Sequence, residues 1–150
     1  MFVFIVLCFA AAAVGALVTN FSLKDWYPSL KKPAWNPPNW IFAPVWSLLY
    51  ITMAVAASLV WERLPQKGLT LPMFLFLIQL LLNVAWSAIF FGLCAPRWAF
   101  FEIMFLWVFI LMTAVSFGTV YGPAGILLLP YLIWVTFAAF LNFTIWQLNR

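Results

Sequence analysis

The sequence predicts an all-α membrane protein: a five-transmembrane-helix bundle with a long structured loop between helices one and two. Three observations lead there. Of the 150 residues, 68% are hydrophobic and 7% charged, and mean hydropathy is +1.12, outside the range of water-soluble domains. The apolar residues fall into five runs, each near the roughly 20 residues that cross a hydrocarbon core about 30 Å thick. Only the connection Asn20–Trp40 is long. Residues 1–150 therefore read as a single transmembrane domain with no room for a soluble catalytic one.

Phe2–Thr19 is the first span. Its Ala10–Ala13 run loosely resembles a signal-peptide cleavage site, but no basic region precedes it and the apolar stretch is long. A retained helix is expected. In the long connection, Lys31-Lys32-Pro33-Ala34-Trp35-Asn36-Pro37-Pro38-Asn39-Trp40 is stiff, basic and rich in tryptophan. Its prolines predict an extended lid that launches the next helix and roofs a pocket. Ile41–Trp61 is the second span, closed by Glu62-Arg63. Leu71–Leu93, Trp98–Val120 and Gly125–Leu148 follow, separated by Pro65, Gly68, Pro96, Gly122 and Pro123. Each must be a helix in lipid, where only a helix satisfies its own backbone. Pro130 is expected to kink the fifth.

The isoelectric point of about 9.4 rests on seven basic side chains. These read as topology signals and not as a nucleic-acid surface. Lys24, Lys31, Lys32, Arg97 and Arg150 lie on one side of the membrane, against Arg63 and Lys67 on the other. That balance predicts an outside N-terminus, with the loop 20–40 and the C-terminus cytoplasmic. The loop lysines serve topology and anionic lipid, or meet a ligand carboxylate. The absence of histidine removes the commonest metal ligand, the usual haem ligand and any imidazole acid–base chemistry. No metal site is expected. Cys8 and Cys94 read as small apolar fillers and not as a disulfide.

Of the ten tryptophans, Trp61, Trp98 and Trp146 fall at span ends, where an interfacial aromatic belt accounts for them. Trp26, Trp35 and Trp40 lie in the long loop, and Trp46, Trp86, Trp107 and Trp134 inside spans. An indole N–H inside a span needs a partner. Gln79, Asn83, Trp86, Ser87 and Phe90 form one stripe of the third span. Asn83 is near mid-membrane, where a polar side chain either ties helices together or orients a ligand. Phe42, Trp46 and Tyr50 form a ladder on the second span, and Trp134, Ala138 and Asn142 recur at one-turn spacing on the fifth. Counted by depth, the three stripes meet in one membrane half, beneath the proline-rich loop. An aromatic cavity with a few polar groups suits a large apolar ligand. Trp26, Tyr27 and Trp35 are further stacking surface from the loop. Glu102, one turn past Trp98, snorkels or pairs with Arg97, or serves a ligand or proton. Ala88 and Gly92 are a weak small-xxx-small signal for self-association.

These residues carry a resemblance. Trp26-Tyr27, Lys32-Pro33-Ala34-Trp35-Asn36-Pro37-Pro38, Phe42…Trp46…Tyr50, Asn83-x-x-Trp86-Ser87-x-x-Phe90-Phe91 and Pro130-Tyr131-Leu132-x-Trp134…Leu141-Asn142 resemble, in order, the TspO/MBR family. That family includes tryptophan-rich sensory proteins and peripheral-type benzodiazepine receptors. The resemblance implies a five-helix bundle, often a homodimer. It implies binding of protoporphyrin IX or haem and, in some members, cholesterol or benzodiazepine-type drugs. The implied pocket takes in Trp26, Tyr27, Trp46, Tyr50, Asn83, Trp86, Ser87, Trp134 and Ala138. The sterol motif of mitochondrial members is weak here. Leu141–Trp146 has no tyrosine, and Arg150 is the only nearby base.

The leading expectation is a membrane receptor or carrier for tetrapyrroles, with a sensory or transport role and no required cofactor. One rival is light-dependent porphyrin degradation, with Trp46 and Trp134 as candidate electron donors in a chain lacking ordinary catalytic groups. Another is a structural or interaction protein, or a weak sterol binder. A proton- or ion-driven transporter would need a deep acidic site. Impermeant maleimide should reach Lys31→Cys only from the cytoplasmic side; labelling from outside would reverse the orientation.

Overall fold

Lipid offers nothing to a bare N–H or C=O group, and the chain meets that constraint with helix along each apolar run, broken only by a turn in the fifth. The computed structural model describes all 150 residues. Five stretches are long and apolar enough to cross a membrane: Phe2–Leu23, Asn39–Arg63, Leu71–Gly92, Pro96–Val120 and Gly122–Leu148. The elements are α1 (Phe2–Leu23), α2 (Trp26–Ser29), α3 (Asn39–Arg63), α4 (Leu71–Ser87), α5 (Pro96–Val120), α6 (Gly122–Ile126) and α7 (Leu129–Leu148). A π-helical turn, Ala88–Gly92, extends α4.

Proline explains most of the boundaries. Pro38 caps α3 in an extended conformation (φ −58°, ψ 144°), and α4, α5, α6 and α7 each carry proline within their first two positions. No intrahelical donor is needed there. Pro130 therefore starts α7 and does not kink a continuous fifth helix, as the sequence had led us to expect. The interruption lies earlier, at Leu127–Leu128, where the Leu127 N–H bonds the Pro123 carbonyl and the Leu128 N–H the Gly125 carbonyl. At the end of α3, the Lys67 ammonium donates to the carbonyls of Trp61, Glu62 and Leu64. A cation is favourable at a helix C-terminus.

Round the bundle, α1 packs on α3 and α4, α4 on α5, α5 on α6 and α7, and α6 on α3. These helices enclose a core that includes Met53, Phe76, Ile103, Leu106, Ile110, Phe117 and Val135. Phe76 and Phe117 stack there with centroids 6.0 Å apart. A smaller cluster of Tyr27, Phe90, Ala99, Leu141 and Ile145 sits at the loop end. Phe2, Leu17, Leu81, Phe105, Ile133 and Phe140 are exposed on the outside, an apolar surface suited to lipid.

Two small-residue contacts are intramolecular. A Cβ on Gly92 would lie 3.0 Å from Val18 Cγ1, so this exposed glycine also borders α1. A Cβ on Gly125 would meet the Ala114 carbonyl oxygen at 2.7 Å and Gly118 Cα at 2.9 Å. There α6 lies backbone against backbone on α5. Gly125→Ala should therefore destabilise the detergent-solubilised protein by about 1–3 kcal/mol. Gly118→Ala, whose Cβ meets nothing within 4 Å, should leave thermal denaturation nearly unchanged. Equal melting of the two variants would contradict this packing.

Candidate functional site

Above the core, α3 and α7 share few close backbone contacts, and aromatic rings fill the gap between them. Phe42 meets Trp134 edge-on at 6.0 Å, and Trp46 meets Tyr131 at 6.3 Å. The rings leave a cavity of about 350 Å³. Of the twelve residues singled out from the sequence, ten line it: Tyr27, Trp46, Tyr50, Asn83, Trp86, Ser87, Phe90, Trp134, Ala138 and Asn142. The spacing explains this, since residues three or four apart share a helix face.

Two of the twelve do not line it. Trp26 lies behind the wall, edge-on to Phe90 at 5.6 Å. Trp35 is half-exposed and rests on Phe137 at 5.9 Å. No residue from Pro28 to Pro38 reaches the cavity, so the proline-rich segment fastens the loop and supplies no stacking surface. Trp40, expected in the loop, stands in the first turn of α3 and is 74% exposed. The prolines stiffen an extended path, and its indoles lie along the outside of that path.

The polar side chains at the base satisfy one another. The Tyr50 hydroxyl donates to Asn83 Oδ1 at 2.6 Å, and Asn83 Nδ2 donates to the Tyr131 hydroxyl at 2.8 Å. At the far wall, Trp86 Nε1 donates to Asn142 Oδ1 at 3.0 Å, and Asn142 Nδ2 to the Pro96 carbonyl at 2.7 Å. Trp107 Nε1, remote from the cavity, donates to Thr136 Oγ1 at 2.8 Å. Trp134 Nε1 is buried without a partner. Gln79, one turn from Asn83, is buried against Met53 and does not reach the cavity.

The charged groups stand apart. None of Lys24, Lys31 and Lys32 lines the cavity. Lys32 Nζ donates to the Tyr27 and Leu30 carbonyls at 2.6 and 3.0 Å. Burial pushes the Tyr27 phenol above its ordinary range, and its hydrogen bond to Asn36 Oδ1 (3.3 Å) pulls it part of the way back. It stays neutral at physiological pH. Glu102 does not pair with Arg97. Its two oxygens are buried without partners, and the guanidinium lies 5.5 Å from the Trp98 ring centre. Five positions along a helix turn side chains to different faces, which separates them.

One wall was missed. α1 contributes Ala12, Gly15, Ala16, Thr19, Asn20 and Leu23. A Cβ on Gly15 would lie 3.4 Å from Ser87 Oγ, so the small residue lets α1 close on α4. The run of small side chains from Ala10 to Ala16 was the available signal. Asn39, Ala43 and Ser47 of α3, and Leu141 and Ile145 of α7, also line the cavity. Phe91 lines it beside Phe90, because the π-helical turn brings consecutive side chains to one side.

Known proteins match this chain over nearly its whole length. The model of the TspO/MBR family matches residues 4–147. The tryptophan-rich protein TspO of Chlorobaculum tepidum is 44% identical over 147 residues, covering 95% of this chain and 91% of that protein. The tryptophan-rich sensory protein of Cereibacter sphaeroides is 38% identical over 146 residues, covering 97% and 89%. The translocator protein of Homo sapiens is 38% identical over 139 residues, covering 91% and 82%.

Asn83→Leu strands the hydroxyls of Tyr50 and Tyr131. It should lower stability by about 1–2 kcal/mol, and Tyr50→Phe in that background should add little. A double-mutant cycle by thermal denaturation checks this; strictly additive losses would mean that the pair is not coupled.

Proposed function

The chain belongs to the TspO/MBR family, and from that premise we propose that it is an integral membrane receptor or carrier for tetrapyrroles such as protoporphyrin IX or haem. Family membership and five apolar helices make it a multi-pass membrane protein with a receptor or sensory role. The tetrapyrrole is the further step.

One observation carries it: Trp46 of α3 and Trp134 of α7 line the same cavity, together with Tyr50, Trp86 and Phe90. A flat macrocycle would meet ring faces from two opposed helices. Its dispersion and quadrupole contacts are worth about 0.5–1.5 kcal/mol per aromatic pair beyond simple burial. About 350 Å³ is within the range of ligand pockets. The donor set fits the macrocycle better than an iron atom, because the chain has no histidine to coordinate one. Asn83 and Asn142 spend their amides on protein partners, so they shape the cavity floor and wall. Ser87, Asn20 and the unpartnered Trp134 N–H are polar groups left to orient the ligand. The proposal keeps the N-terminus outside, the long loop and C-terminus cytoplasmic, and a homodimer as the assembly.

Protoporphyrin IX should quench tryptophan fluorescence of the purified protein at micromolar concentrations. Trp46→Ala and Trp134→Ala should each weaken binding about tenfold, equivalent to about 1.4 kcal/mol. Unchanged affinity in both would remove this cavity as the site.

A further inference from the structure

The loop end of the cavity is fastened shut. The Lys31 N–H donates to Asn149 Oδ1, and Asn149 Nδ2 donates back to the Lys31 carbonyl, each at 2.9 Å. That pair ties the proline strap to the end of α7. Lys32 holds two carbonyls beneath it, and Trp26 is seated against Phe90.

The side between α1 and α3 is built differently. Ala16 and Asn20 of α1, and Asn39, Ala43 and Ser47 of α3, line the cavity and are nevertheless exposed, unlike the other lining residues. Residues that face both ways mark a passage. Its rim is small at Ala16 and Ala43, which have nothing beyond Cβ. It also shows lipid little unsatisfied polarity: the Ser47 hydroxyl donates to the Ala43 carbonyl at 2.9 Å. Pro44 stands in the same turn and lacks the N–H that would bond the Trp40 carbonyl, so α3 loses one rung where it borders the gap. At 1.5 Å per residue, Ala43 and Ser47 lie about 6 and 12 Å below the start of α3, within the acyl region under the headgroups. Asn20 marks the polar end of the rim.

We propose that the cavity is loaded sideways from the bilayer, through the gap between α1 and α3, and not through the loop. The class admitted is a flat, apolar, membrane-partitioned molecule whose polar end stays near Asn20 at the headgroup level. This rests on reading the cavity as a ligand site. The loop face would be a fixed end wall. Molecules that favour water would reach the cavity slowly, whatever their fit inside.

The test needs no tetrapyrrole, so its failure and that of tetrapyrrole binding are distinguishable. Ser87→Cys places a thiol on the cavity wall opposite the gap; Cys94→Ser removes the exposed thiol, leaving only buried Cys8. In phosphatidylcholine vesicles, pyrene maleimide dissolved in the lipid should label residue 87, and a charged impermeant maleimide should not. Ala16→Phe with Ala43→Phe should slow labelling about tenfold, while Asn149→Ala, which loosens the strap, should change it by less than about twofold. Both phenylalanines replace exposed side chains, and Ser47→Phe alone gives a milder obstruction with the same expected direction. Faster labelling in Asn149→Ala, entry of the impermeant reagent, or indifference to the phenylalanines would overturn the lateral route. So would no labelling by either reagent.

Discussion

One amide holds the upper half of the bundle together. Asn83 of α4 accepts from Tyr50 of α3 and donates to Tyr131 of α7, tying three of the five spans at one point. It does so where rings, and not backbone contacts, join α3 to α7. Below that point small residues such as Gly125 bring backbones into direct contact. Above it, the helices are bridged by rings. The cavity is thus a consequence of where close packing stops, and the Asn83 triad is its floor. In hydrocarbon an unpaired amide is costly, so the triad sets the spacing of the three helices as well as joining them.

The proline-rich loop performs a mechanical task. Its prolines restrict the backbone and a hydrogen-bonded turn joins Pro33 to Asn36, which lets a short chain cross the bundle without helix or sheet of its own. It is then secured by backbone-directed contacts: Asn149 to both polar groups of Lys31, and Lys32 to carbonyls of its own turn. The tryptophans beside these anchors cover the joint from outside. The π-helical turn works in concert with it. It widens the end of α4, turns Phe90 and Phe91 inward, and is met from α1 by the Ser22 hydroxyl, which donates to the Phe91 carbonyl. One end of the cavity is therefore closed by wide aromatic side chains, and the α1–α3 side is lined by narrow ones.

Legibility in the sequence followed the physics of each feature. The spans were plain, because hydropathy over about twenty residues is a strong signal in any bilayer. Stripes such as Phe42, Trp46 and Tyr50 were readable because bulky or polar residues recur at helical spacing. α1 offered no such pattern. Its contribution to the cavity is alanine and glycine, and a small side chain is informative only when the neighbour that fills or leaves the space is known. Phe91 was hidden for another reason: regular helix geometry turns it away from Phe90, and only the wider turn brings it back. Glu102 and Arg97 looked like partners by proximity in the chain, yet the helix aims them apart.

By itself, the sequence determined the number of spans, the membrane class, the proline-rich strap and ten of the residues on the cavity wall. These depend on local composition and on the fixed pitch of a helix. The tertiary structure alone decided which sides of the cavity are closed and which tryptophans face in. It also showed that Pro130 starts a helix, and that α1 supplies a wall of the cavity. Those outcomes depend on distances between helices far apart in the chain. Such distances are set by the sizes of facing side chains and by single hydrogen bonds across the bundle.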